Sequence, residues 1–199
     1  MKILFLLLFA LNLIAAPFYS LRVASAVATD YDFGQIMTGD IGKFQPNSNV
    51  YAADFGYLLK ASNDSLPFDF YLKSGLAYFE QNPFLDPIYE MTFYIKAYYN
   101  IDFWSNRVRV GFGEGGSYTS GILEVEREDA EAHNDNNSHF LNYLDVSFDF
   151  DFARLIGSKT FEELYVGALI KHRSGIFGLI NNVRHGGSNY VGFYIEKNF

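Results

Sequence analysis

His172 and Ser174 stand one residue apart near the C-terminal end of the chain, and Asn189 lies a short way beyond them. A serine hydroxyl is a poor nucleophile until a neighbouring base takes its proton, and histidine is the side chain most often used as that base. In extended backbone, residues i and i+2 point the same way about 6–7 Å apart, near enough for two side chains to close to a hydrogen bond. Ser174 as nucleophile and His172 as general base would together suit ester cleavage. Attack on an ester carbonyl makes a tetrahedral oxyanion, for which backbone N–H groups from Gly175 to Gly178, or the amides of Asn181 or Asn182, are candidate donors. The competing reading is structural: a His and a Ser at a membrane rim meet lipid head groups, and Gly and Asn are ordinary turn residues.

Little other chemistry is available. The chain has no Cys, which excludes disulfides, thiolate zinc sites and cysteine nucleophiles. Its formal net charge is -8 and no run of Lys and Arg occurs, so nucleic acid is not an expected partner. Glu124, Glu126, Glu128, Asp129, Glu131 and Asp135 read as a solvated external loop, or alternatively as a place where divalent cations bridge lipid phosphates. His133, His139 and His185 have no fixed metal-ligand spacing; no metal and no cofactor is expected.

The elements that would carry the pair are strands. From Asn142 to Phe152, the residues Asn142, Leu144, Val146, Phe148, Phe150 and Phe152 alternate with Tyr143, Asp145, Ser147, Asp149 and Asp151, one apolar face and one polar. The last strand alternates likewise, Val191, Phe193, Ile195 and Phe199 against Tyr190, Gly192, Tyr194, Glu196 and Asn198, with Lys197 as the exception. Strands are expected near 18–29, 49–60, 67–80, 88–101, 106–118, 139–152, 161–173 and 188–199. Eight is an even number, as bacterial outer-membrane barrels have. Short connections (61–66, 102–105, 153–160) alternate with long ones (30–48, 120–138, 174–187), as periplasmic turns alternate with external loops. Fifteen Tyr and twenty-one Phe beside a single Trp suit the aromatic girdles of such a barrel.

The fold expected is therefore all-β, an eight-stranded antiparallel transmembrane β-barrel over residues 17–199. An interior of that size is filled by side chains; Lys96, Arg107, Arg109 and Lys171 are expected to pair there with Asp145, Asp149, Asp151 and Glu196. Residues 1–16 read as a signal peptide: Lys2 is followed by the apolar run Ile3 to Ile14 and the small pair Ala15-Ala16, with 24–26 as an alternative cleavage point. A chain-terminal aromatic such as Phe199 resembles the sorting signal of bacterial outer-membrane barrels. Lys171 must face inward, so parity puts His172 and Ser174 on the lipid side with Val166, Ala168 and Ile170. Asn189 shares the lipid side with Val191 and Phe193 on the neighbouring strand.

The segment His172-Arg173-Ser174-Gly175-Ile176-Phe177-Gly178, followed by Asn181-Asn182, then Gly186-Gly187-Ser188-Asn189 and a final strand, resembles the C-terminal signature of the lipid A 3-O-deacylase family of outer-membrane β-barrels. The resemblance spans about 28 residues in the same terminal position. It implies an eight-stranded barrel that hydrolyses the ester at the 3-position of lipid A, with Ser174 as nucleophile and His172 as base on the outer wall. Lipid A of lipopolysaccharide and outer-membrane lipids are then the expected partners, and the bacterial outer membrane the expected location. The family often has a Glu at the start of the last strand to orient the His. This chain reads Gly187-Ser188-Asn189-Tyr190 there, and Asn189 is the positional match. An amide oxygen can hold the His tautomer but cannot stabilise imidazolium by charge. Glu196 falls on the other face. The departure keeps a second expectation open, a non-catalytic structural or adhesive barrel.

Overall fold

Alternation with a period of two gives each strand one face that must be hidden and one that tolerates exposure; a sheet closed on itself meets that demand without leaving an edge. In the computed structural model the strands β1 (Tyr19–Thr29), β2 (Asn49–Lys60), β3 (Phe68–Glu80), β4 (Ile88–Phe103), β5 (Asn106–Thr119), β6 (Phe140–Asp151), β7 (Leu164–Ser174) and β8 (Ser188–Asn198) form one closed antiparallel barrel in sequence order. The structure describes residues 18–42, 48–81 and 85–199; the expected signal peptide, 1–16, lies outside them. The barrel closes where β8 pairs with β1, from Ser20 opposite Asn198 to Thr29 opposite Asn189.

The connections divide as expected, with additions. Short turns, the start of β1 and the C-terminus gather at one end of the barrel, where Tyr19 N–H donates to the Phe199 carbonyl at 2.9 Å. The expected loops carry helices instead of irregular chain: α1 (Phe33–Met37), α2 (Glu124–His133) and α3 (Phe152–Ile156). The acidic stretch expected as loop is α2. Its Glu and Ala residues are good helix formers, and Glu124 and Glu126 lie in the first turn where carboxylates favour the helix dipole. β7 starts later than expected because Lys159–Phe161 winds into a 3-10 turn, and it runs on to Ser174.

The two-residue turn between β4 and β5 holds Trp104 and Ser105 at φ of 43° and 71°. Each non-glycine residue in left-handed backbone costs about 1–2 kcal/mol. Ser105→Gly is therefore expected to stabilise the barrel by about 1 kcal/mol, read as a higher urea midpoint for unfolding from lipid.

The interior is charged and paired. Arg109 bonds Asp149 through two nitrogens, at 2.9 and 2.8 Å; Lys73 Nζ reaches Glu196 at 2.5 Å, and Lys171 Nζ reaches Glu90 at 2.6 Å. Arg22 donates to Asp54 at 3.0 Å and to Asp145 at 2.6 Å, and Lys96 also pairs with Asp145. Two expected interior pairings are corrected. Arg107 sits at the short-turn rim, half-buried, and grips Asp102 at 2.8 Å; Asp151 caps α3 and pairs with Arg154 at 3.0 Å. Arg107 lies too near the end of its strand to reach the interior; Asp151 is buried as expected, but its partner is the local Arg154. Lys197, the exception to the outward face, turns back to the Glu162 carbonyl. At the long-loop end Leu123, just before α2, and Val125 of α2 close the mouth against Phe79, Ile88 and Tyr190.

Candidate active site

Arg173 is the pivot of the local geometry. Its guanidinium is fully buried, with Nε 3.4 Å from Glu126 of α2 and 3.9 Å from Glu90 of β4. Glu126 also accepts from Ser188 Oγ at 2.7 Å. With Arg173 locked inward, strand alternation turns its two neighbours, His172 and Ser174, outward together. In the β7–β8 register His172 stands opposite Asn189.

His172 Nδ1 lies 2.7 Å from Asn189 Oδ1. The amide is itself held, since Asn189 Nδ2 donates to the Tyr31 carbonyl at 3.1 Å. That fixes the amide's orientation, so its oxygen accepts from Nδ1–H and leaves Nε2 as the ring's basic nitrogen. Phe33 of α1 packs its ring against the imidazole, centroids 5.1 Å apart. Among the described residues Ser174 and His172 are not hydrogen-bonded to each other, a distance that such pairs often close only when substrate binds.

Beyond Ser174 the chain bends sharply. Ile176 and Phe177 are both left-handed, at φ of 48° and 54°, and Gly178 follows at 92°. Consecutive left-handed non-glycine residues, one of them β-branched, are strained. A Cβ on Gly175 would meet the Val183 carbonyl at 2.0 Å, so only glycine lets the loop fold back there. Among the described residues, the N–H groups of Ile176 and Phe177 donate to no protein acceptor. The Phe177 ring, 94 % exposed, and Leu179, 82 % exposed, project from the wall as apolar tips.

A groove of about 450 Å³ runs along this wall. Of the residues expected from sequence, His172, Ser174, Gly175 and Asn189 line it; Gly178, Asn181 and Asn182 do not. Asn181 is engaged elsewhere: its Nδ2 donates to Ser138 Oγ at 2.8 Å and to the Phe140 carbonyl at 2.9 Å. The Asn182 carbonyl accepts from Asn136 at 3.1 Å. Both asparagines anchor the loop to the chain entering β6. The remaining lining includes Phe33, Asp129 and His185. Phe33 has no place in the sequence expectation, and Asp129 and His185 have none in this groove, because they come from segments far apart in the chain; for α1, the Asp32-x-x-Gln35 spacing is the available signal, realised as Asp32 N–H donating to Gln35 Oε1 at 2.9 Å.

Asp135 pins the same loop. It accepts from the N–H groups of Arg184 at 2.7 Å and His185 at 2.5 Å. The bond from His185, with those from Asn136 and Arg184, holds its carboxyl below the usual range. A lowered folded value means the contact is complete above the ordinary Asp value of about 3.9. It is lost only as pH falls through the lower one. Amide-proton protection at Arg184 and His185, followed across that range, should fall at a pH below the ordinary value.

Neither a protein-family model nor a curated protein sequence matches the chain. Solved structures do. One is described as "the outer membrane enzyme PagL", with 13% sequence identity and a TM-score of 0.60, covering 91% of this chain and 99% of that one. Another is Neisserial surface protein A, with 14% identity and a TM-score of 0.52, covering 92% and 98%. At these identities the likeness is one of fold, that of eight-stranded outer-membrane barrels.

Proposed function

We propose that the chain is a bacterial outer-membrane ester hydrolase that removes the 3-position acyl chain of lipid A. The observation that carries the reading is the His172–Asn189 hydrogen bond on the outer wall, beside Ser174 and along a groove open to that wall. A base oriented by a neighbour and placed beside a nucleophile is the pattern nucleophilic catalysis requires. The outer wall is also where a lipid substrate arrives.

Ser174 Oγ attacks the ester carbonyl while His172 Nε2 takes the hydroxyl proton. The oxyanion is met by the free N–H groups of Ile176 and Phe177. The ester C–O bond then breaks, and the imidazolium returns its proton to the departing sugar hydroxyl. Water, deprotonated by His172, releases the fatty acid from acyl-Ser174. Asn189 holds Nδ1–H throughout, and no cofactor is needed.

Asn189 supplies orientation without charge. Asn189→Asp adds the missing charge, and is expected to raise kcat about tenfold or more, whereas Asn189→Ala should lower it by a similar factor. Both are read as initial rates of acyl release from lipid A in micelles.

The neutral Asn189 also favours the second reading, a non-enzymatic surface barrel. Mass spectrometry of lipid A extracted from outer membranes separates the two. Loss of one hydroxyacyl group with the native chain, absent with Ser174→Ala, is the expected result. Unchanged lipid A in both would leave the non-enzymatic reading.

A further inference from the structure

From the geometry of α2 and the β7–β8 loop we infer a binding site for a divalent transition-metal ion, Zn²⁺ or a close relative, formed by Asp129, His133 and His185. The inference does not depend on the ester-hydrolase reading.

One ligand atom from each of the three lies within 4.8 Å of the other two. Asp129 and His133 are four apart on α2 and so share a helix face. His185 comes from the other loop, and its ring lies parallel to that of His133, centroids 4.0 Å apart at 9°.

The backbone beneath is already set. Gly186 N–H donates to Asp129 Oδ2 at 2.7 Å, and His185 N–H donates to Asp135. His133 Nδ1 lies 2.8 Å from the Asp129 carbonyl and 3.1 Å from Asp129 Oδ1, contacts that hold the ring and leave Nε2 as its unengaged nitrogen. Two imidazoles and one carboxylate are a zinc-type donor set, whereas Ca²⁺ and Mg²⁺ prefer oxygen alone. Zinc bonds of about 2.0–2.2 Å require ligand atoms roughly 3.3 Å apart. The His133 and His185 side chains are exposed, and binding would draw them together from their stacked arrangement. Three protein ligands leave a fourth position for water or an anionic oxygen. Asp129 and His185 also line the groove of His172 and Ser174. The ion would therefore staple two loops together at the groove's rim.

The test is calorimetric titration of the chelator-treated full chain in detergent with ZnCl₂, CaCl₂ and MgCl₂, its fold checked by circular dichroism. One equivalent of Zn²⁺ should bind, with no response to the other two. Since even second-layer partners are worth about 10–100-fold in affinity, Asp129→Asn, His133→Ala and His185→Ala should each weaken binding about a hundredfold. His139→Ala should leave it unchanged, since His139 Nδ1 is engaged with the Thr119 carbonyl. Absence of saturable Zn²⁺ binding by the native chain would overturn the inference. So would native affinity in the folded His133→Ala/His185→Ala double variant.

Discussion

Ser174→Ala is expected to abolish turnover, with kcat falling about 10⁶-fold to the background supplied by binding and oxyanion donors alone. His172→Ala should fall nearly as far, and the double variant no further, because under the proposed mechanism the two act as one unit. Both side chains face outward from β7 while the buried Arg173 holds the strand. The variants should therefore keep the wild-type unfolding midpoint. Single-turnover acyl release, measured beside urea unfolding, separates lost chemistry from lost fold.

The largest expected effect on stability lies inside the barrel. Asp145 is fully buried and faces two cations, Arg22 at 2.6 Å and Lys96, with Tyr143 donating at 3.1 Å. Asp145→Ala leaves both cations short of a partner in a site water cannot reach, at a cost of about 3–5 kcal/mol. Asp102→Ala removes a comparable pair at the exposed rim, where the cost is about 0–1 kcal/mol. The two variants should differ accordingly in urea midpoint. Equal midpoints would mean that water reaches the interior charges.

Strand number, strand direction and side-chain facing were readable from sequence because a period of two assigns each residue to a face without knowledge of its partner. Lys96, Arg109 and Lys171 could be placed inside on that basis alone. Which carboxylate each one meets depends on the stagger of the whole barrel: Lys171 meets Glu90, three strands away in the chain. Arg22 and Asp145 meet across the interior although they stand 123 positions apart in the chain.

The outward pairing of His172 with Asn189 was readable because it sits on adjacent strands. Phe33 and the Tyr31 carbonyl were not, because they reach His172 and Asn189 respectively only through the closure of β1 onto β8. The acidic stretch misled because a charge run looks like solvated loop, while its placement over the mouth is set by Leu123 and Val125. His133 and His185 become neighbours only once α2 and the β7–β8 loop are folded together.

The nucleophile that the proposed mechanism assigns can be caught directly. Incubating the protein with lipid A, or with a fluorophosphonate ester, and mapping the modified peptide by mass spectrometry tests the central claim at one atom. An adduct on Ser174, absent in Ser174→Ala and strongly slowed in His172→Ala, is the predicted result. An unmodified Ser174, or labelling that persists undiminished at another residue in the variant, would contradict it.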